Sequence, residues 1–248
     1  MALSIRPSPL ASDAYYEVKK FKVGLDYGTT YTAGAFCLSS NESATCLEAG
    51  KIYPFINYRR SGSSGTKDQP STEISSEIRY EDGCTRIGAE VENVVDNHGN
   101  RVPGHCVSRA KLGLDDRNET RDARCMMEEA LGQLPEPKTA EDVIADYLTE
   151  LFKFWKRELA RRAGYDERDS IELNCTVPAM WTQRARRKMV KAVEIAGQRS
   201  GFRFEKVVRL WPEPEAATAY VMDKFPNLRL KVSNSFPNRE YQRNLWSI

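Results

Sequence analysis

Apolar and polar residues begin to alternate at Phe21. Phe21, Val23 and Leu25 take every second place, DYGTT follows, and Tyr31 to Leu38 resumes an extended apolar pattern. Period-two alternation is the mark of a half-buried strand, so the pattern predicts a hairpin over 21–38 whose turn carries a glycine and two hydroxyls. Leu47 to Asn57 holds short apolar pieces suited to continuing a meander; Ile74 to Tyr80 predicts a further strand and Arg86 to Val95 a short helix. At Thr139 the period changes. Val143, Ile144, Tyr147, Leu148, Leu151, Phe152, Trp155 and Leu159 recur at helical spacing and form one apolar face. The helix spans about Thr139 to Ala163, with Thr139 and Asp142 as its N-terminal cap and Gly164 as its stop. A buried strand over Ile171 to Val177, a helix over Thr182 to Gln198, a strand over Lys206 to Leu210 and a helix opening at Pro212 to Pro214 complete the series. A hairpin followed by alternating strands and helices predicts a mixed α/β domain.

Three stretches carry no such periodicity. Residues 1–20 are expected to be a flexible leader, and Arg59 to Ser71 (RRSGSSGTKDQPS) a flexible loop by composition. Leu114 to Arg124 (LDDRNETRDAR) is so polar that it is expected as an exposed loop without fixed structure.

Composition changes this picture little. The chain has 248 residues, 40% hydrophobic and 29% charged, the proportions of a soluble globular protein. Its 37 basic and 35 acidic residues give a net charge of +2, which offers no electrostatic case for nucleic acid or a membrane surface as the main partner. The six cysteines (Cys37, Cys46, Cys84, Cys106, Cys125 and Cys175) form no C-x-x-C pair, and only His98 and His105 could join them, so zinc is not indicated by spacing. A chain this long does not need disulfide staples, and free thiols in a reducing compartment fit better. No apolar run reaches the ~20 residues of a membrane span or the form of a signal peptide, so cytoplasm, or nucleus, is the expected location.

Three pieces could carry chemistry. In GLDYGTTYT, Gly24 to Thr32, a glycine lets the backbone approach an anion closely, and Gly28, Thr29 and Thr30 supply N–H donors and two hydroxyls at a turn. Asp26, at the end of the first strand, could hold magnesium through its waters. The same residues also suit a plain hairpin turn. In TVPAMWTQRARRKMVKAVEIAG, Thr176 to Gly197, a strand ends at Pro178 and the helix that follows carries Arg184, Arg186, Arg187, Lys188 and Lys191 outside its apolar stripe; taken alone, this is a solvated face. In LWPEPEAATAY, Leu210 to Tyr220, Glu213 sits where a strand turns into a helix, a place from which a functional carboxylate projects and also one where an acid simply complements the helix dipole.

Taken in order, these pieces resemble one family. The chaperone ATPases of the 70-kDa heat-shock type carry a G-I-D-L-G-T-T phosphate loop, a T-V-P-A strand end before a helix, and an N-E-P-x-A-A-A-x-A-Y helix start; here stand GLDYGTT, TVPA and PEPEAATAY, with EIAG before the last. The resemblance covers residues 21–222 and implies the first lobe of an actin-like ATPase (ribonuclease H-like) fold, a mixed sheet with flanking helices. It implies ATP or ADP and Mg2+ as ligands, with ATP hydrolysis coupled to binding of client or partner proteins. Carried over position by position, it makes Asp26 the magnesium-linked aspartate and Gly28, Thr29, Thr30 and Tyr31 the phosphate loop. Glu213 becomes the catalytic glutamate that orders magnesium-bound water, and Pro178 with Arg186 the switch that reports nucleotide state.

The sequence also departs from that pattern. The family's catalytic lysine lies in a G-x-A-A-K stretch, and the nearest match, GAEVE, puts Glu92 in its place; the family's asparagine before the glutamate is Pro212. The second lobe brings a second phosphate loop, D-L-G-G-G-T, and the adenosine pocket, yet no two glycines are adjacent here and 223–248 (DKFPNLRLKVSNSFPNREYQRNLWSI) resembles neither. That tail is expected to be a disordered end or the mark of a truncated gene model, and the chain alone to be inactive as an ATPase. Bacterial actin-like filament proteins share part of the pattern, and sugar kinases share D-x-G-T-T without the later motifs. A non-enzymatic protein-interaction module built on the same fold is the alternative from another class.

Overall fold

The structure, a computed structural model, describes residues 18–39, 51–56, 71–81, 84–92, 105–205 and 209–224. Most of the expected leader, nearly all of the 59–71 loop and all but the first two residues of the 223–248 tail lie outside them.

Strands β1 (Lys20–Tyr27) and β2 (Tyr31–Leu38) form the hairpin, with Phe21 opposite Leu38 and Tyr27 opposite Thr32. Because successive side chains point to opposite faces, this register puts Phe21, Val23, Leu25 and Tyr27 on one face with Thr32, Gly34, Phe36 and Leu38. Lys22, Gly24 and Asp26 share the other face with Ala33, Ala35 and Cys37. The outer edge of β2 is taken first by β3 (Tyr53–Pro54) and then by β4 (Glu73–Ser75), both antiparallel. A separate three-stranded antiparallel sheet follows, with β5 (Ile78–Glu81) between β6 (Cys84–Ile87) and β7 (His105–Val107). Helix α1 (Ala89–Glu92) lies after β6; helix α2 (Arg121–Gly132) leads to α3 (Ala140–Ala163). Strand β8 (Ser170–Val177), helix α4 (Gln183–Ser200), strand β9 (Arg209–Pro212) and helix α5 (Glu213–Lys224) complete the described chain.

The main sheet has the order β3–β2–β1–β8–β9, with β1, β8 and β9 parallel and β2 antiparallel to β1. This is an α/β fold with a mixed sheet and flanking helices. Its core lies under α3, where Val143, Ile144, Tyr147, Leu148, Leu151, Phe152, Trp155 and Leu159 are all buried, the stripe expected from the spacing. Helix α4 packs on α3 through Ala185, Met189, Ala192, Val193 and Ala196. Helix α5 meets β8 and β9, and its Ala216, Ala219 and Tyr220 line a cleft with Gly24, Asp26 and Thr176 of the opposite face.

The ends of α3 follow the sequence signals. The Thr139 hydroxyl accepts from the Asp142 N–H at 3.2 Å, while the Asp142 carboxylate accepts from the Thr139 N–H at 2.9 Å and its hydroxyl at 2.7 Å. Gly164 closes the helix in the left-handed conformation, φ 61°, which glycine adopts without steric cost.

These bonds, the Thr139 hydroxyl first, hold the Asp142 carboxyl below the usual carboxylate range. A depressed native pKa means that the stabilisation is complete above the unfolded value, ~3.9, and is lost as pH falls through the folded one. The thermal midpoint of the wild type should therefore drop between pH 5 and 3 more steeply than that of Asp142→Asn, which starts lower at pH 7 by the ~1 kcal/mol of a lost cap. Parallel pH curves for the two proteins would refute the assignment.

Three expectations are corrected. Residues 74–80 are not one strand: β4 and β5 are separate and pair in different sheets. The 86–95 segment begins as strand β6, with only Ala89–Glu92 helical among its described residues. The polar 114–124 segment is structured. It contains the end of a 3-10 helix (Ala110–Leu114), a second 3-10 turn (Asn118–Thr120) and the start of α2. Its polar side chains bind its own backbone. Arg124 donates to the carbonyls of Asp115 and Arg117, both at 2.6 Å, and Arg117 makes a 2.6 Å ion pair with Asp115. Strand β9 runs Arg209–Pro212, ending two residues beyond the expected Leu210; residues 206–208 lie outside the described residues.

Candidate functional site

Parallel strands bring their carboxyl ends to one edge of a sheet, where polar side chains from distant segments can meet. Leu25 of β1 pairs with Cys175 of β8, while Thr176 and Val177 pair with Trp211 and Pro212 of β9. Asp26 and Glu213 therefore come to the same edge with one strand between them, Asp26 level with Thr176 and Trp211 and Glu213 two residues further along. Asp26 lies on the face away from α3, and its Oδ1 accepts a 2.7 Å bond from the Thr176 hydroxyl, 150 residues later. Trp211 is fixed on that face by a 3.0 Å bond from its indole N–H to Asn174.

The 28–31 turn closes the hairpin beside Asp26. The Gly28 N–H donates to the Tyr31 carbonyl at 3.0 Å, and the Thr30 carbonyl accepts from the Ser76 N–H at 2.8 Å. A Cβ on Gly28 would lie 2.2 Å from the Tyr31 carbonyl oxygen, so the turn closes this tightly only with glycine. Among the described residues the N–H groups of Thr29 and Thr30 find no acceptor. Thr30 and Tyr31 are exposed and Thr29 half-buried. Below the turn, the buried Thr32 and Ser76 hydroxyls bond each other at 2.8 Å, and Tyr147 of α3 donates to the Ser75 carbonyl at 3.1 Å.

Two residues of the site, Thr176 and Lys111, have no counterpart among the sequence-derived candidates. Lys111, inside the 3-10 helix, lies 2.8 Å from Glu213 Oε1 although 102 residues separate them. Its side chain is only 5% exposed, against 43% for Glu213. The Lys111 ammonium also lies 5.7 Å from the centre of the Trp181 ring, a distance at which the ring face attracts a cation. The segment carrying it is firmly seated. Gly113 packs so closely on Met127 and Ala140 that a Cβ would fall 2.1 Å and 2.6 Å from them. Asp116 accepts from Thr182 at 3.3 Å. The segment begins at Arg109 in the left-handed conformation, φ 58°, the one positive φ outside glycine among the described residues. Such a conformation costs energy and persists only where the surroundings impose it.

Burial pushes the Cys175 thiol up to about 12, with Lys111 working against the shift and Asp26 and Glu213 adding to it. A buried thiol held protonated is no nucleophile. Against the open face of the sheet lies a cleft of about 570 Å³, floored by Gly24, Ala33 and Ala35, with Asp26 and Thr176 in its lining and Trp211 and Tyr220 on the α5 side.

Of the residues singled out in the sequence, Asp26, Gly28, Thr29, Thr30, Tyr31 and Glu213 fall at this edge. Pro178 and Arg186 stand together just beyond the end of β8: the Pro178 carbonyl accepts from Trp181 N–H at 3.1 Å, and Arg186 reaches back to the Ala179 carbonyl at 3.3 Å. Glu92 ends α1, and its side chain lies outside the described residues. The donor set at the edge is two carboxylates and hydroxyls, hard oxygen ligands. Among the described residues no group of three or more His, Cys, Asp or Glu side chains stands together to cage a metal. One or two carboxylates, with waters and phosphate oxygens completing the shell, is the set that magnesium takes. Among the described residues no helix is long and apolar enough to cross a membrane.

The sequence matches no family model and no curated protein.

Proposed function

We propose that residues 21–222 form the first lobe of an actin-like ATPase domain of the 70-kDa heat-shock chaperone type, and that the edge carrying Asp26, the 28–31 turn and Glu213 binds ATP with magnesium. The observation that carries this reading is the gathering of Asp26, Thr176, Lys111 and Glu213, from four separate segments, at the carboxyl ends of the parallel strands. In this reading the N–H groups of Thr29 and Thr30, without an acceptor among the described residues, receive phosphate oxygens, as a tight glycine turn allows. Asp26 holds the water shell of the metal, and Glu213 orders a water on the opposite side of it. Lys111 provides the positive charge that the family draws from its lysine, at a position other than Glu92. The Pro178 and Arg186 pair relays the state of the site to whatever the domain is joined to, with client proteins as the partner class.

Equilibrium titration with fluorescently labelled ATP tests this. Magnesium-dependent saturable binding is expected, and Asp26→Ala should weaken it about 10- to 100-fold, since a hydrogen bond to a charged group is worth about 1.5–3 kcal/mol. The substitution should leave the thermal midpoint almost unchanged, because Asp26 is exposed. Equal binding by wild type and Asp26→Ala would remove the site from the 26–31 turn.

A second reading, a protein-interaction module without catalysis, draws on one feature. Ile52 and Tyr220, 55% and 59% exposed, line the same cleft, an apolar wall of the kind that protein partners cover. No binding of labelled ATP would favour it.

A further inference from the structure

We propose that Lys111 is an anion-binding group kept masked by Glu213, and that it is released for a polyphosphate when the Glu213 carboxylate turns to a hydrated divalent cation. The inference rests on the nucleotide-site reading and concerns how that site is regulated.

The asymmetry of the pair carries the argument. The ammonium of Lys111 is almost wholly buried and paired at 2.8 Å with Glu213 Oε1, whereas Glu213 is half-exposed. A buried cation needs a partner at all times, because an unpaired charge in a low-dielectric site is strongly disfavoured. Lys111 also has little freedom to leave. Its 3-10 helix is wedged by Gly113 against Met127 and Ala140, and Asp116 anchors the following residue pair to Thr182 at the start of α4. Glu213 is the more exposed member, the first residue of α5, directly after the strand that ends the sheet order among the described residues.

Without a cation, an incoming polyphosphate meets Glu213 twice over: as the competitor already bound to Lys111, and as a like charge at the same edge. A divalent cation removes both obstacles. It gives Glu213 a new partner and leaves Lys111 requiring an anion, which the phosphate supplies. Cation and polyphosphate must then assist each other by the same factor, since linkage is reciprocal, and couplings of about 5- to 150-fold are typical. The edge would reject free polyphosphate and accept its magnesium complex. Asp26 alone does not give this selectivity, because its partner is the neutral Thr176 hydroxyl.

Calorimetric titration of the full chain with inorganic triphosphate, in EDTA and in magnesium, isolates the phosphate contacts from base and sugar. For the wild type, magnesium should tighten binding by about 10- to 100-fold. Glu213→Gln keeps a hydrogen-bond acceptor for Lys111 but not the charge, and should tighten the metal-free binding by about tenfold, shrinking the magnesium effect by the same factor. Lys111→Met should weaken binding in both conditions; should it fail to fold, Glu213→Gln decides alone. Metal-free affinity in Glu213→Gln equal to or below that of the wild type overturns the masking, while triphosphate and ATP binding by the wild type leaves the nucleotide reading intact. Absence of saturable binding of either ligand in magnesium overturns both.

Discussion

Replacement of Gly34 by alanine should lower the thermal midpoint by about 6–12 °C or prevent folding outright. Gly34 lies in the middle of β2 on its core face, opposite Leu25. A Cβ there would stand 2.1, 2.4 and 2.9 Å from three carbons of the Trp155 indole. The ring cannot step aside: Phe55 is stacked on it at 4.5 Å, and Phe152 packs at 5.6 Å. Forcing a methyl group into a packed core usually costs about 1–3 kcal/mol, and more where no side chain can yield. In a domain of this size each kcal/mol moves the midpoint by about 2–4 °C. Gly132→Ala is the control, because nothing lies within 4 Å of a Cβ at that last residue of α2. Alanine there should leave the midpoint unchanged or raise it slightly, given its higher helix propensity. Equal midpoints for Gly34→Ala and the wild type would mean that the sheet and α3 are not packed as described.

The same contrast between local and distant determinants separates what was legible in the sequence from what was not. Helix α3 was readable to its caps, because its apolar stripe, Thr139 with Asp142, and Gly164 are signals within one or two turns of each other. Strands β1 and β2 are readable from their alternation and β8 as a compact run buried along most of its length. In the 114–124 segment composition alone misleads: so many charges suggest a solvated loop, whereas Arg117 and Arg124 close a hydrogen-bonded turn with partners at most nine residues away. The break between β4 and β5 was hidden because Ile74 and Ile78 read as one apolar run although they sit in different sheets. At the edge of the sheet, Asp26 and Glu213 are singled out by motif resemblance. Lys111 was missed because its meaning lies in burial and in a carboxylate 102 residues away. A lysine set among Ala110, Leu112 and Leu114 was the available signal, since a charge inside an apolar run needs a partner when it is buried. In the proposed site Lys111 is the cation that the resemblance, with Glu92 at the lysine's place, does not provide.

The purified 248-residue chain should bind magnesium ATP and yet release no phosphate above background. In the proposed site Lys111 supplies the positive charge and Asp26 and Glu213 would hold the magnesium shell, so a shortage of positive charge is not the expected obstacle. Positioning is the obstacle. In phosphoryl transfer most of the acceleration comes from holding the γ-phosphate in line with its nucleophile and surrounding it with fixed donors. Every donor described here comes from one edge of one sheet, and among the described residues Asp26, Gly24 and Thr30 on that edge are exposed. The resemblance calls for a second glycine-rich loop facing the first, and this sequence has no adjacent glycines from which to build it. Loss of one fixed donor to a transition state typically costs about 10²–10³-fold, and an absent loop removes several. Glu92→Lys should therefore restore nothing, whereas a second lobe from a related ATPase, added in trans, is the addition that could raise turnover. A coupled phosphate-release assay on the chain alone decides the matter. Magnesium-dependent turnover that disappears in Asp26→Ala would show that this edge needs no opposing loop.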